Sequence, residues 1–219
     1  GEGDGSGGGV EIDGGGSGES GTFVMHGGTI ASCVAGRMGG GIGNDGVFIM
    51  EDGAIRSCSA IGNDGEEAMG GSIRFSGDMT VSGGTISAPG STGKQHIFGR
   101  GAFTISGNAQ IDVSMTLDGT LYANGGTIAG GVMNSYGTIT GSEGAAGTTT
   151  FTGAVVNEGT IRGGVFEGEV TNKEDGTIKD GTFKKKVENE GTIEGSTFEG
   201  TVRSRTRYGA QKAAVIRDG

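Results

Sequence analysis

Two histidines and two cysteines are the residues of this chain best suited to chemistry. His26 stands directly before "GGTI", where sister segments carry Glu51, Ser82 or Asn124. That placement suits a turn, and neither His26 nor His96 belongs to an HxxxH or Cys/His cluster that would hold zinc. Cys33 and Cys58 each follow an isoleucine (Ile30, Ile55) by three residues. If those stretches lie on adjacent strands, their Cα atoms are about 4.8 Å apart, within disulfide reach. A bridge and a stacked pair of free thiols both stay open. Neither cysteine has a base beside it in the sequence, so neither is assigned a catalytic role.

The carboxylates offer two further chemistries. "GNDG" at 43–46 and 62–65, with "GEGDG" at the start, has the flavour of calcium-binding nonapeptides. No tandem copy follows at nine-residue spacing, and a calcium site gathers six or more oxygens. Asn-Asp-Gly therefore reads first as a turn, with calcium as the minor alternative. Glycoside chemistry needs acids converging on one face. The adjacent pairs Glu66-Glu67 and Glu174-Asp175 do not supply this, because neighbours on a strand point to opposite faces. Sugar-stacking aromatics are few: Tyr122, Tyr136 and Tyr208, with no Trp. No residue is assigned to catalysis, to a cofactor or to a metal.

The elements that would position such groups follow from an unusual composition. Among 219 residues there are 53 Gly and 1 Pro, and 32% are apolar. Glycine at that level usually marks low-complexity or fibrous sequence, but collagen is excluded by the lack of a strict three-residue period. A net charge of −10 disfavours nucleic acid as a partner, since phosphate binding needs clustered Lys and Arg. No apolar run is long enough to span a bilayer as a helix. The opening "GEGDGSGGG" lacks the basic start and apolar stretch of a signal peptide.

Against disorder stands a fixed repetition. "FTGAVVN", "FEGEVTN", "FKKKVEN" and "FEGTVRS" begin at Phe151, Phe166, Phe183 and Phe198. In each unit Val follows Phe by four, and Asn follows Val by two in the first three. Ile161, Ile178 and Ile193 precede the next Phe by five. The longer middle unit places its extra residues in "KED", before Gly176. Upstream, Phe23, Phe48, Met79, Phe103 and Leu121 anchor longer units, and "GGGVEID", "GGGIGND" and "GGSIRFS" mark a third recurring segment.

Glycine every few residues costs a helix about 1 kcal/mol each, whereas short Ile/Val/Phe/Thr fragments suit strands. Too short to form a sheet alone, they are stable when stacked coil on coil. The expectation is an all-β, single-stranded parallel β-helix (β-solenoid) of about ten rungs that shorten toward the C-terminus. It is expected to be right-handed, as about 98% of parallel crossovers are. Ile, Phe and Val would face inward, with the four phenylalanines forming one column. Asn157, Asn172 and Asn189 would form a structural ladder. Glu167, Lys184 and Glu199 would alternate in sign along one exposed row, with Glu169 and Lys186 two residues on.

"GTFVMHGGTIASC", "GGGIGNDGVFIMEDGAI" and "DMTVSGGTISAPG" resemble the Gly-rich repeats of bacterial cell-surface, adhesin-like β-helix proteins. The resemblance covers residues 7–202. It implies an extracellular or cell-surface, non-enzymatic structural or adhesive segment, with a host or bacterial surface glycan or protein as partner. The rival expectation is a carbohydrate-active or glycan-binding β-helix, with a groove on the wider N-terminal coils walled by "SAPGSTGKQH". The expected organisation is a flexible segment at 1–6, the solenoid at 7–202, and a cap or linker at 203–219. The basic "RSRTRYGAQK" lies in that last part.

Overall fold

A computed structural model describes residues 7–16, 18–62, 68–88, 96–141, 148–206, 208–210 and 212–217. Among these there is no helix, and the strand pairings are all parallel. Short β-branched and aromatic runs between glycines give strands of mostly two to four residues, each stable only through the rung above and below. The result is the parallel β-helix that the repeats predict.

The coil has three faces. The first is a ten-stranded sheet from Val10–Ile12 through Ile42–Asn44 and Ile73–Phe75 to Val187–Asn189 and Val202–Ser204, stacked in chain order. Along it, Val10, Ile42, Ile73 and Ile97 occupy one register position on successive rungs, with long excursions of chain between them. The column continues through Met115, Val132, Val155, Val170, Val187 and Val202 at closer sequence steps. The coils shorten as expected, with reversals before Val155 and Val187.

The second and third faces belong to one 17-stranded sheet. They are separate near both ends and are joined in the middle by two long strands, Ala102–Asp112 and Thr120–Ile128. A register shift between Gly107 and Gln110 lets the upper of these turn the corner without breaking its ladder. Wide coils also carry a small fourth side, where Val34–Ala35 pairs with Ser59–Ala60 and Ala35, Ala60 and Ala68 form a satellite core.

One continuous apolar core runs down the axis. Phe151, Phe166, Phe183 and Phe198 do form a single column, on the third face. Their centroids are 4.7, 4.9 and 5.5 Å apart, with ring planes within 23° of parallel. The upstream anchors Phe23, Phe48, Met79, Phe103 and Leu121 also stack, but on the second face. Below the long strands that column continues as Ile139, Ile161, Ile178 and Ile193, while Ile30, Ile55, Ile86, Ile111 and Ile128 lie above Phe151. The aromatic column thus changes face midway. Close packing explains why this is tolerated: both columns fill the same narrow interior, so exchanging Phe for Ile on one face and Ile for Phe on the other keeps the volume nearly constant.

The turn at "KED" absorbs the two extra residues of the middle unit, with the Gly176 N–H donating to the Lys173 carbonyl at 2.9 Å. After Ser204 the chain swings out and returns as the strand Val215–Arg217, which pairs with Thr192–Glu194. Residues 1–6, expected to be flexible, lie outside the described residues.

Candidate functional site

The polar groups of this solenoid collect into columns, because every side chain at one register position has a neighbour at the same position one rung away. Four such columns carry its polar chemistry.

The first is internal. Asn134 Nδ2 donates to Asn157 Oδ1 at 2.7 Å, Asn157 to Asn172 at 2.8 Å, and Asn172 to Asn189 at 2.8 Å. Asn189 Nδ2 then donates to Ser204 Oγ at 3.1 Å. The four amides are fully buried, and their second donor hydrogens serve backbone carbonyls, as in Asn172 Nδ2 to Gly176 and Thr192. The expected three-residue ladder is therefore real and one rung longer, beginning at Asn134. The signal is present in "VMNSYGTI", which keeps Val-x-Asn and Gly-Thr-Ile around one additional residue, Tyr136.

The second column is the external charge row. Lys184 Nζ bonds Glu167 Oε1 at 2.8 Å, and this bond, with a further contribution from Glu199, raises the Lys184 pKa. The alternation read from the sequence is thus present. Lys186 does not make its salt bridge to Glu169: it bonds Glu188 at 2.7 Å, two residues further along the chain in the strand Val187–Asn189 that it precedes. That bond, chiefly, lowers the Glu188 pKa. Glu194 is held below the usual carboxylate value first by Arg217 at 2.8 Å and then by Lys179 at 3.3 Å. Lys212 bonds Asp175 at 2.9 Å, and its backbone N–H reaches Glu174 at 3.3 Å. The acidic pair Glu174-Asp175 therefore ties the returning tail to the coil.

The third column joins His26 and Glu51, which follow the paired Met25 and Met50 and meet at 2.6 Å on the surface. His26 occupies the turn position expected of it. His96 opens the strand His96–Gly99. The fourth column is the thiol pair. Val34 pairs with Ser59 and Ile30 with Ile55, so Cys33 and Cys58 stand on consecutive rungs. Both are free thiols. Cys58 is buried, and that burial is the main reason its pKa is raised, which makes it a poor nucleophile.

At "GNDG" 43–46, Asn44 donates to the Asp78 carbonyl at 2.9 Å and accepts from the Gly46 N–H at 3.1 Å. Asp45 accepts from Arg74 and Ser76. Both side chains serve the corner, which is the turn the sequence suggests. The second copy loses Asn63, Asp64 and Gly65, with Glu66-Glu67, to the region outside the described residues, as does "GEGDG". Among the described residues no group of three His, Cys, Asp or Glu side chains could hold a metal ion. No helix there is long and apolar enough to cross a membrane. Of the three tyrosines, Tyr122 is 43% exposed and Tyr136 84%, on the middle rungs.

Comparison with family models, curated proteins and solved structures finds no match to this chain.

Proposed function

We propose that the chain is a non-enzymatic structural and adhesive β-helix segment of a bacterial surface or secreted protein. The observation that carries this is the use of its charged side chains. Lys179, Lys184, Lys186, Arg205 and Arg217 are bonded to Glu167, Glu188 and Glu194 along or across the rungs. Acids held this way brace a repetitive wall and are not converged on a reacting bond. A ten-rung parallel stack suits a stiff presenting surface, because each rung stabilises its neighbours and length changes by whole rungs. The partner class is a glycan or protein of a host or bacterial surface, and the setting is extracellular.

The second reading is a carbohydrate-active or glycan-binding β-helix. The exposed Tyr122 and Tyr136 favour it, since a tyrosine face suits the apolar face of a sugar. Most of the groove wall expected at "SAPGSTGKQH" lies outside the described residues. A glycan array run beside a lyase and hydrolase screen separates the readings. Turnover of any polysaccharide defeats the non-enzymatic reading. Glycan binding that survives in a Tyr122→Ala/Tyr136→Ala chain removes the tyrosines from it.

A further inference from the structure

Among the described residues the two ends of the solenoid are parallel sheet edges of the same polarity, and they carry opposite charge. At the upper end the first face closes on Val10–Ile12, with Glu11 and Asp13 exposed. At the lower end it closes on Val202–Ser204, with Arg203 and Arg205 exposed. Within the molecule Val187 pairs with Val202 and Val10 with Ile42, so the same inward position is occupied at both ends. Carrying that register across a boundary sets Val202 on Val10, Arg203 on Glu11 and Arg205 on Asp13. On the second face it sets Ile216 on Phe23, apolar on apolar, while on the third, which has one strand fewer, Phe198 and Ile30 face each other across a missing strand. None of those four side chains is fully buried within one chain, and Ile216 is 41% exposed.

Edges of this kind are normally blunted by proline, a bulge or a covering segment. The single proline of the chain, Pro89, falls within none of these edge segments. We propose that the upper end of one copy docks on the lower end of another, continuing the first and second faces and building an end-to-end rod. The partner is a second copy of this chain, chosen by two opposite-charge pairs and by shared register. The contact is head-to-tail, so one copy leaves the next end free and assembly does not close. This inference does not depend on what the side walls bind.

The test is sedimentation velocity with electron microscopy on the full chain, from micromolar to millimolar concentration. The expected result is unbranched rods whose mean mass rises with concentration and falls as salt is added, because the charge pairs are screened within about 10 Å at 0.1 M. Glu11→Arg/Asp13→Arg is expected to raise the concentration needed for assembly about tenfold or more, since like charges then meet. Glu11 stands opposite Gly43 and Asp13 follows Ile12 as Asp45 follows Asn44, so this variant is expected to fold and melt like the parent. Mixing it with Arg203→Glu/Arg205→Glu chains is expected to restore rods that neither forms alone. Arg205 also bonds Glu188, so the second variant is checked by its melt before mixing, and the first decides the matter if it is unfolded. A parent that stays monomeric throughout overturns the proposal. So does assembly unchanged by salt and by reversal of Glu11 and Asp13.

Discussion

A single inward column shows how differently the two halves of the solenoid are packed. On the first face it reads Ile12, Asn44, Phe75, Gly99 and Leu117 in the upper half, then Asn134, Asn157, Asn172 and Asn189 in the lower. In the upper coils a large residue is accommodated by a small one beneath it. Phe75 lies where a Cβ on Gly99 would come within 1.9 Å of the ring. In the lower coils the same residue recurs, so identical groups meet: amide on amide, and ring on ring across the third face. The short lower coils leave little choice of inward side chain on each face, and identical neighbours are then the simplest way to fit. The long upper coils have slack to mix shapes and to carry a fourth side.

The largest effect should come from breaking the ring stack. Phe166→Ala removes a ring with a stacked neighbour on each side and should cost about 3–5 kcal/mol in urea unfolding. A loss no greater than that of the outward-facing change Thr171→Ala would remove the distinction between the halves.

Next comes the amide ladder. Asn172→Ala takes the ladder acceptor from Asn157 and the ladder donor from Asn189, each at about 1–3 kcal/mol. Asn44→Ala should cost less, because Asn44 bonds only two backbone groups, the Gly46 N–H and the Asp78 carbonyl of the next coil, and no neighbouring amide; equal melting losses would argue that amide-to-amide links add nothing beyond such backbone bonds.

In the upper half, Gly99→Ala should cost about 1–3 kcal/mol by overpacking against Phe75, and Phe75→Leu should relieve it. If Gly99→Ala is as harmful in the Phe75→Leu background, ring displacement is not its cause.

Smaller effects come from the exposed charges. Lys184→Glu places like charges between Glu167 and Glu199 and should lower the melting temperature slightly, an effect that added salt erases. Melting no lower than the parent would count against the register of that row. The pH dependence has a definite sign. Glu188 and Glu194 have lowered folded pKa values, so their contribution is complete above the ordinary 4.5 and is lost as pH falls through the folded values. Lys184 and Lys212 are raised, so theirs is complete below 10.5 and is lost as pH climbs through the folded values. Glu194→Gln should flatten part of the acid limb in a melting series; an unchanged limb would show that its pairs with Arg217 and Lys179 are idle.

The lower half was the more legible in the sequence, and for the reason it is packed as it is. Repetition of Phe, Val and Asn at nearly constant spacing exposes the register directly, and the column of rings and the ladder follow from it. Asn134 is harder to see, because its coil has Ile128 where the next ones have phenylalanine, and Tyr136 lengthens the step to Gly-Thr-Ile. The change of face by the aromatic column is hidden, because "FTISGNAQID" and "LYANGGTI" contain turn-like Gly and Asn inside what are continuous strands. The bulge between Gly107 and Gln110 lets the first of them round the corner unbroken. Lys186 shows a further limit: register arithmetic compares neighbouring rungs, while the partner that it finds, Glu188, is two residues along its own rung.

The amide ladder is also a one-way chain. Every link donates downward, so its foot carries spare donor hydrogens and its head a spare acceptor. The foot is relieved at Ser204, close to solvent, and by the Val215 carbonyl. The head is Asn134 Oδ1, which is buried, has no hydrogen-bond partner and lies beneath the aliphatic Leu117. Adding another asparagine above would only move the orphaned oxygen up one coil. A row of aligned amides inside a protein therefore carries one orphaned acceptor whatever its length, a fixed cost that each added coil spreads over more hydrogen bonds.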